Sequence, residues 1–174
     1  MFLDDKEGRF QEMLASFIAD TEKLLAQNPD LEFYAFAINT NIDYGEVLLC
    51  LNTEESHAQA IQRYKDNGYY KEGYENDPDI RYNPGEWQFL GYNQDCYILP
   101  EQELEEMNDA DEANDWENIR REIDDFSTRL FKEFIKSEVF IKIPKTKDFK
   151  LSLIDHEEDC IEGLERAEEL LKYL

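Results

Sequence analysis

Two short apolar runs constrain this chain more than any other feature. Residues 31–38 read Leu-Glu-Phe-Tyr-Ala-Phe-Ala-Ile, and residues 46–51 read Glu-Val-Leu-Leu-Cys-Leu. Both have strand length, and turn-forming residues bound them. Only Asn39-Thr40-Asn41-Ile42-Asp43-Tyr44-Gly45 separates them. That is too short for a parallel crossover, so the two are expected to pair antiparallel. Neither run alternates cleanly between apolar and polar positions, which implies that both faces of the sheet are covered.

Amphipathic helices supply the cover. Phe10, Met13, Leu14, Phe17, Ile18, Leu24 and Leu25 recur at spacings of three and four, and Asn28-Pro29-Asp30 ends that helix. A second helix opens at Asn52-Thr53-Glu54-Glu55, where Asn52 or Thr53 can cap. It turns Ala58, Ile61 and either Tyr64 or Lys65 inward or along its edge, and stops at Asn67-Gly68. Trp116, Ile119, Ile123, Phe126, Leu130 and Phe134 hold helical spacing through an acid-rich stretch, with Lys132 and Lys136 at the negative helix end. Residues 87–92 read as a third strand. Phe149, Leu151 and Leu153 mark another, following a locally basic stretch with Lys142, Lys145, Lys147 and Lys150. Asp155 is read as the cap of a final helix with Ile161, Leu164, Ala167, Leu171 and Leu174 inward. The expected fold is α+β: a single domain over residues 1–174, with a small, mostly antiparallel sheet of about four strands covered by about four helices. A chain of 174 residues buries enough surface to fold without disulfides or metals.

Charge narrows the partners. Forty-two acids against 18 lysines and arginines give a net charge of −24. Such a surface repels phosphates and anionic lipid, so neither nucleic acid nor a membrane is an expected partner. A basic protein would be steered toward it. The same charge also serves plain solubility. Cys50, Cys96 and Cys160 are widely spaced and form no C-x-x-C pair, which fits free thiols in a reducing compartment. The first residues become acidic without an apolar stretch, so no secretory leader is expected, and the location is read as cytoplasmic.

Motifs for chemistry fail on spacing. His57 and His156 are the two histidines, and neither stands in H-E-x-x-H or near a cysteine pair. Asn39-x-Asn41-x-Asp43 begins like a calcium loop, but glycine falls one place late at Gly45 and the twelfth position is Cys50. A hairpin turn explains those residues better. No G-x-S-x-G elbow and no glycine-rich phosphate loop occurs. No cofactor, metal or catalytic residue is assigned, and a non-enzymatic role is favoured.

Two segments remain as candidates. The first is an acidic binding face within residues 101–115, carried by Glu101, Glu105, Glu106, Asp109, Asp111, Glu112 and Asp115. The second is a long aromatic loop over residues 67–86, with Tyr69, Tyr70 and Tyr74, that runs into Arg81-Tyr82-Asn83-Pro84-Gly85-Glu86-Trp87. In that block Pro84-Gly85 sets a turn, Trp87 anchors it, and Arg81 can pair with Glu86. It reads either as a packed loop or as a recognition patch, since Arg, Tyr and Trp dominate binding hot spots.

The block, together with the leading helix, Phe33-Tyr34-Ala35-Phe36-Ala37-Ile38, Asn52-Thr53-Glu54-Glu55 and the acidic helical half, resembles a bacterial family known as domain of unknown function 4303. The family's Arg-aromatic-Ser-Pro-x-Glu-Trp is similar to Arg81 to Trp87 here, with Asn83 in place of serine and Gly85 at a position where a small residue is usual. The resemblance implies no established activity. By analogy of class, similar small acidic proteins serve as immunity-type partners of basic toxins. The expected function is a cytoplasmic protein-binding domain, in its sharpest form immunity-like and neutralising a basic toxin. The alternative is a small-molecule binder or enzyme with a pocket around Arg81 to Trp87.

Overall fold

A computed structural model describes residues 6–98 and 113–173, apart from the side chains of Asp43, residues 113–116 and Ile119. The hairpin forms as expected. Strand β1 (Phe33–Asn41) and strand β2 (Glu46–Asn52) pair antiparallel, with Ala37 opposite Cys50. The connection is a 3-10 turn, Ile42–Tyr44, closed by Gly45 in the left-handed region at φ 59°, where glycine carries no steric penalty. The calcium-like residues are thus a hairpin turn.

The third strand, β3 (Lys145–Asp155), joins the other side of β1 in parallel, giving the order β2-β1-β3. One of the two pairings is therefore parallel, and the described residues contain three strands rather than about four. The expected strand at residues 87–92 lies along the free edge of β2 but makes one isolated bridge there, Leu51 to Phe89, with a second, Glu46 to Tyr97, further along the chain. Gly91, at φ 60°, breaks its extended course. The side chain of Asn93 takes the place of a strand residue: its Oδ1 accepts from the Leu49 N–H at 2.7 Å and its Nδ2 donates to the Val47 carbonyl at 2.9 Å. The edge is satisfied without a fourth regular strand. Arg9 clamps this segment with a two-pronged bond to Asp95, at 2.6 and 2.8 Å.

Six α-helices are described: α1 (Lys6–Gln27), α2 (Glu54–Asp66), α3 (Pro78–Arg81), α4 (Ala113–Ile135), α5 (Glu138–Lys142) and α6 (Cys160–Leu171). Thr53, not Asn52, caps α2, its hydroxyl accepting from the Ser56 N–H. The buried face of α2 is Ser56, His57, Ala60 and Ile61, so Ala58 points outward. Asp155 does not cap α6. Its carboxylate is taken by Thr40, the Ile42 N–H and the Glu157 N–H, and Asp159 caps instead through a reciprocal box with Glu162. The buried stripe of α6 is consequently Cys160, Gly163 and Ala167, while Ile161 and Leu171 are exposed.

Alternation along the strands divides the interior. Phe36 and Ile38 of β1, Val47, Leu49 and Leu51 of β2, and Leu153 of β3 join Phe10, Met13 and Phe17 of α1 and Ile123, Leu130, Phe131 and Phe134 of α4 in one large apolar core. Ala35, Ala37 and Cys50 face the other way and form a small second core with Tyr34 and Trp87. Both faces are covered, as the uninterrupted apolar runs require. Among the described residues, no helix is long and apolar enough to cross a membrane.

Candidate functional site

The block Arg81 to Trp87 sits on the second core. Asp77 caps the single turn of α3, its side chain accepting from the Asp79 N–H. Pro84–Glu86 form a 3-10 turn that Asn83 caps through the Gly85 N–H. These two turns aim Trp87 inward, where it is 5% exposed. Its indole N–H donates to the Arg81 carbonyl at 3.2 Å. The Tyr34 hydroxyl donates to the same carbonyl at 2.6 Å and accepts from Asn52 Nδ2 at 3.0 Å. The Asn52 Oδ1 in turn accepts from the Gln88 N–H. One backbone carbonyl thus gathers both aromatic donors, and burial holds the Tyr34 phenol well above the usual tyrosine range.

The side chain of Arg81 lies over the Tyr34 ring, 4.2 Å from its centroid, a cation–π contact on a partly desolvated face. The expected pairing of Arg81 with Glu86 does not occur. Arg81 instead forms a two-pronged pair with Glu54 at the start of α2. Glu86 accepts from the Tyr64 hydroxyl at 2.7 Å and lies 3.6 Å from Arg63. Arg81 thus meets the first turn of α2 and Glu86 its last turns, so the two charges are held at opposite ends of that helix. The bond to Glu86, reinforced by burial, raises the Tyr64 phenol to about 12.

The aromatic loop divides in two. Tyr70 and Tyr74 pack edge to face, and Tyr74 does the same with Tyr64. Tyr70 also donates to Glu75 and lies under Lys65. Tyr69 stands apart and is 71% exposed. Tyr82 meets the Tyr34 ring edge to face, and Pro84 is buried. On the acidic face, Glu101, Glu105, Glu106, Asp109, Asp111 and Glu112 lie outside the described residues. Asp115 falls in the first turns of α4, and its side chain lies outside them as well. The side chains of Trp116 and Ile119 likewise fall outside the description, within α4.

Sequence reasoning missed a cleft of about 400 Å³ beside the block. The ends of β1 and β3 contribute Asn39, Asn41, Ile154 and Asp155, and β2 contributes Glu46 and Leu48. Asn83, Pro84, Gly85 and Leu90 form one wall, with His156, Glu158 and Cys160 on another side. It lies where two parallel strands end, a common position for ligand sites in mixed sheets. Its volume lies within the roughly 300–1,000 Å³ usual for small-ligand sites. Of the Arg81-to-Trp87 block, only the turn residues reach it; the Arg81 and Trp87 side chains do not. Three distant segments build it, so no local motif announces it.

Two of the cysteines, Cys50 and Cys160, are buried. Burial raises the Cys50 thiol to about 12 and the Cys160 thiol to about 11, far from the thiolate a nucleophile needs. His57 is buried, its Nε2 3.1 Å from the Glu75 carbonyl. His156 is exposed, with its backbone N–H bonded to Thr40.

No curated protein and no solved structure shows significant similarity to the chain. The family model described as a domain of unknown function, DUF4303, matches residues 13–171. The order of blocks that first pointed to that family, from the leading helix through Arg81 to Trp87, is the order that builds the two-sided sheet, and the chain belongs to the DUF4303 family.

Proposed function

We propose that this domain is a non-enzymatic, cytoplasmic protein-binding module whose partner is a basic protein. In its sharpest form it is immunity-like, covering and neutralising a basic toxin. One observation carries the reading. Arg9, Arg63, Arg81, Arg120, Arg129 and Arg166 each lie within ion-pair distance of a carboxylate of the same chain. Lys6, Lys65, Lys136, Lys142, Lys150 and Lys172 do the same. Lys145 is turned onto the carbonyls of Phe140 and Ile143. Much of the positive charge among the described residues is thus spent within the fold, and the chain as a whole keeps a net charge of −24. A surface of one sign accelerates association with an oppositely charged partner and rejects phosphates and like-charged proteins.

The test is capture on the immobilised full chain from native bacterial lysate at low salt, followed by stepwise salt elution. The expected result is a basic protein released as salt rises. Capture of acidic proteins only, or of a partner whose binding ignores salt, contradicts the reading. A gene for a secreted toxin beside this one would support the immunity-like form.

A second reading has its own observation. Asn83, Pro84 and Gly85 wall the cleft, so a small-molecule site next to the Arg81-to-Trp87 block is geometrically available. A metabolite library that raises the melting temperature of the wild-type chain, and does not raise that of a variant with the cleft filled at Gly85, would favour it.

A further inference from the structure

The cleft has an uneven chemistry. Its apolar surfaces are Leu48, Leu90, Pro84 and Ile154. Its polar groups divide into those already engaged and those still open. Asp155 is fully taken by Thr40, Ile42 and Glu157. Glu158 holds Arg166 and the Asp155 N–H. Asn83 Oδ1 caps its turn. Among the described residues, the side chains of Asn39, Asn41 and Glu46 make no hydrogen bond or ion pair. Two carboxamides and one carboxylate therefore line the space without a partner among the described residues, and the lining contains no lysine or arginine.

Register explains why they stand together. Asn39 and Asn41 are two apart on β1, and Asn41 pairs directly with Glu46 on β2. All three belong to the side of the hairpin that carries Ala37 and Cys50. A cation with several donors in one plane complements the carboxylate and the two carboxamide oxygens. A body long enough to cross the apolar lining would reach them from the mouth. An arginine side chain has both features: a planar fork of donors that suits carboxylate and carbonyl oxygens, on an alkyl stem that packs on Leu and Pro.

We propose that this cleft is a socket for an arginine side chain presented by the basic partner. The proposal rests on the protein-binding reading above and gives that reading a specific anchor. Charge over the whole surface brings the partner in, and Glu46 with Asn39 and Asn41 fixes its register. Anchoring of this kind is where binding energy concentrates, in a pocket filled by one side chain.

The first experiment titrates the ¹⁵N-labelled full chain with N-acetyl-arginine amide, and with N-acetyl-norleucine amide as an uncharged control. Saturable shifts of the Asn39 and Asn41 carboxamide signals with the arginine probe are expected. They should weaken at least tenfold in Glu46→Gln, while the norleucine probe leaves them unmoved. The absence of saturable shifts, or equal shifts in Glu46→Gln, overturns the socket. Glu46→Gln preserves side-chain volume, and Asn41→Ala gives a second variant; unchanged backbone amide spectra away from the cleft show that each is folded.

The second experiment compares capture of the basic partner by wild type, Glu46→Gln and Asn41→Ala. Loss of at least tenfold in affinity for both variants supports the socket. Equal capture by all three overturns it and leaves the protein-binding reading standing. If wild type captures no basic partner, the protein-binding reading itself fails, and the socket proposal fails with it.

Discussion

The two sides of one sheet are held by different physics. On the side facing α1 and α4, Phe134 stacks on Phe36 at 5.4 Å and meets Phe17 and Phe140 edge to face. Phe10 meets Phe126 in the same way. That core depends on area and shape, and its residues can be exchanged within limits of volume. On the side of Trp87, the buried groups are tied by hydrogen bonds converging on the Arg81 carbonyl and by a guanidinium laid over Tyr34. Few residues take part, and each has a defined partner. The first side gives stability through many small contacts; the second fixes where the Arg81-to-Trp87 block and the adjoining cleft sit.

Truncation should separate them most sharply on the large side. Phe134→Ala removes the ring at the centre of the aromatic cluster and is expected to cost roughly 3–5 kcal/mol in denaturant unfolding. A loss below about 1 kcal/mol would show that this side is not the main source of stability. Next in size is Gly163→Ala. A Cβ there would lie 2.6 Å from Ile154 Cβ and from Ser152 Oγ. Alanine favours a helix over glycine by about 1 kcal/mol, but overpacking costs roughly 1–3 kcal/mol. Net destabilisation is expected, read from the melting temperature, because the obstructing atom on Ile154 is a branched Cβ rather than a flexible tip.

The hydrogen-bonded side is sharpened by a double-mutant cycle on Tyr34→Phe and Trp87→Phe. Either change leaves the Arg81 carbonyl one donor; both together orphan it. Each single variant should cost about 1 kcal/mol, and the pair should cost more than their sum, by on the order of 1 kcal/mol or more. Strict additivity in urea unfolding would mean that the shared carbonyl is not what binds the block to the sheet.

How much of this was legible follows the same division. The large side could be read because Phe10, Met13 and Phe17, and Ile123, Phe126, Leu130 and Phe134, repeat with the helical period. The hairpin could be read because its connection is short. The second side has no period. Arg81 pairs with Glu54 across twenty-seven positions, and Tyr34 reaches a carbonyl in a distant turn, so the nearby Glu86 was the wrong partner to expect. Asn93 imitates a strand residue with its side chain, which no alternation pattern encodes. The parallel docking of β3 depends on a long connection that carries no turn signature. Helix α5 has five residues, too few for periodicity to declare itself. The cleft is drawn from the strand ends, the Pro84 turn and the start of α6, so its open acceptors become visible only in three dimensions.

The smallest expected effect lies outside both cores. Arg129 forms a two-pronged pair with Glu7 at 2.8 and 3.0 Å. Its guanidinium, with help from Gln11, holds the Glu7 carboxyl at about 2, below the ordinary 4.5. A depressed carboxylate contributes stability above its unfolded value and loses that contribution as pH falls. Stability from this pair should therefore fade between about pH 4.5 and about pH 2. Glu7→Gln should flatten that part of the acid limb slightly, and the difference should shrink in salt because the pair is exposed. An unchanged acid profile in the variant would assign the acid limb to other carboxylates.

Charge is what would recruit a basic partner to this chain. The most direct test is the association rate of the full chain with the basic protein it captures, followed by stopped flow from about 20 mM to about 500 mM salt. A fall of roughly tenfold or more across that range is expected for steered encounter. A rate that stays level as salt rises would contradict the claim that the acidic surface recruits the partner.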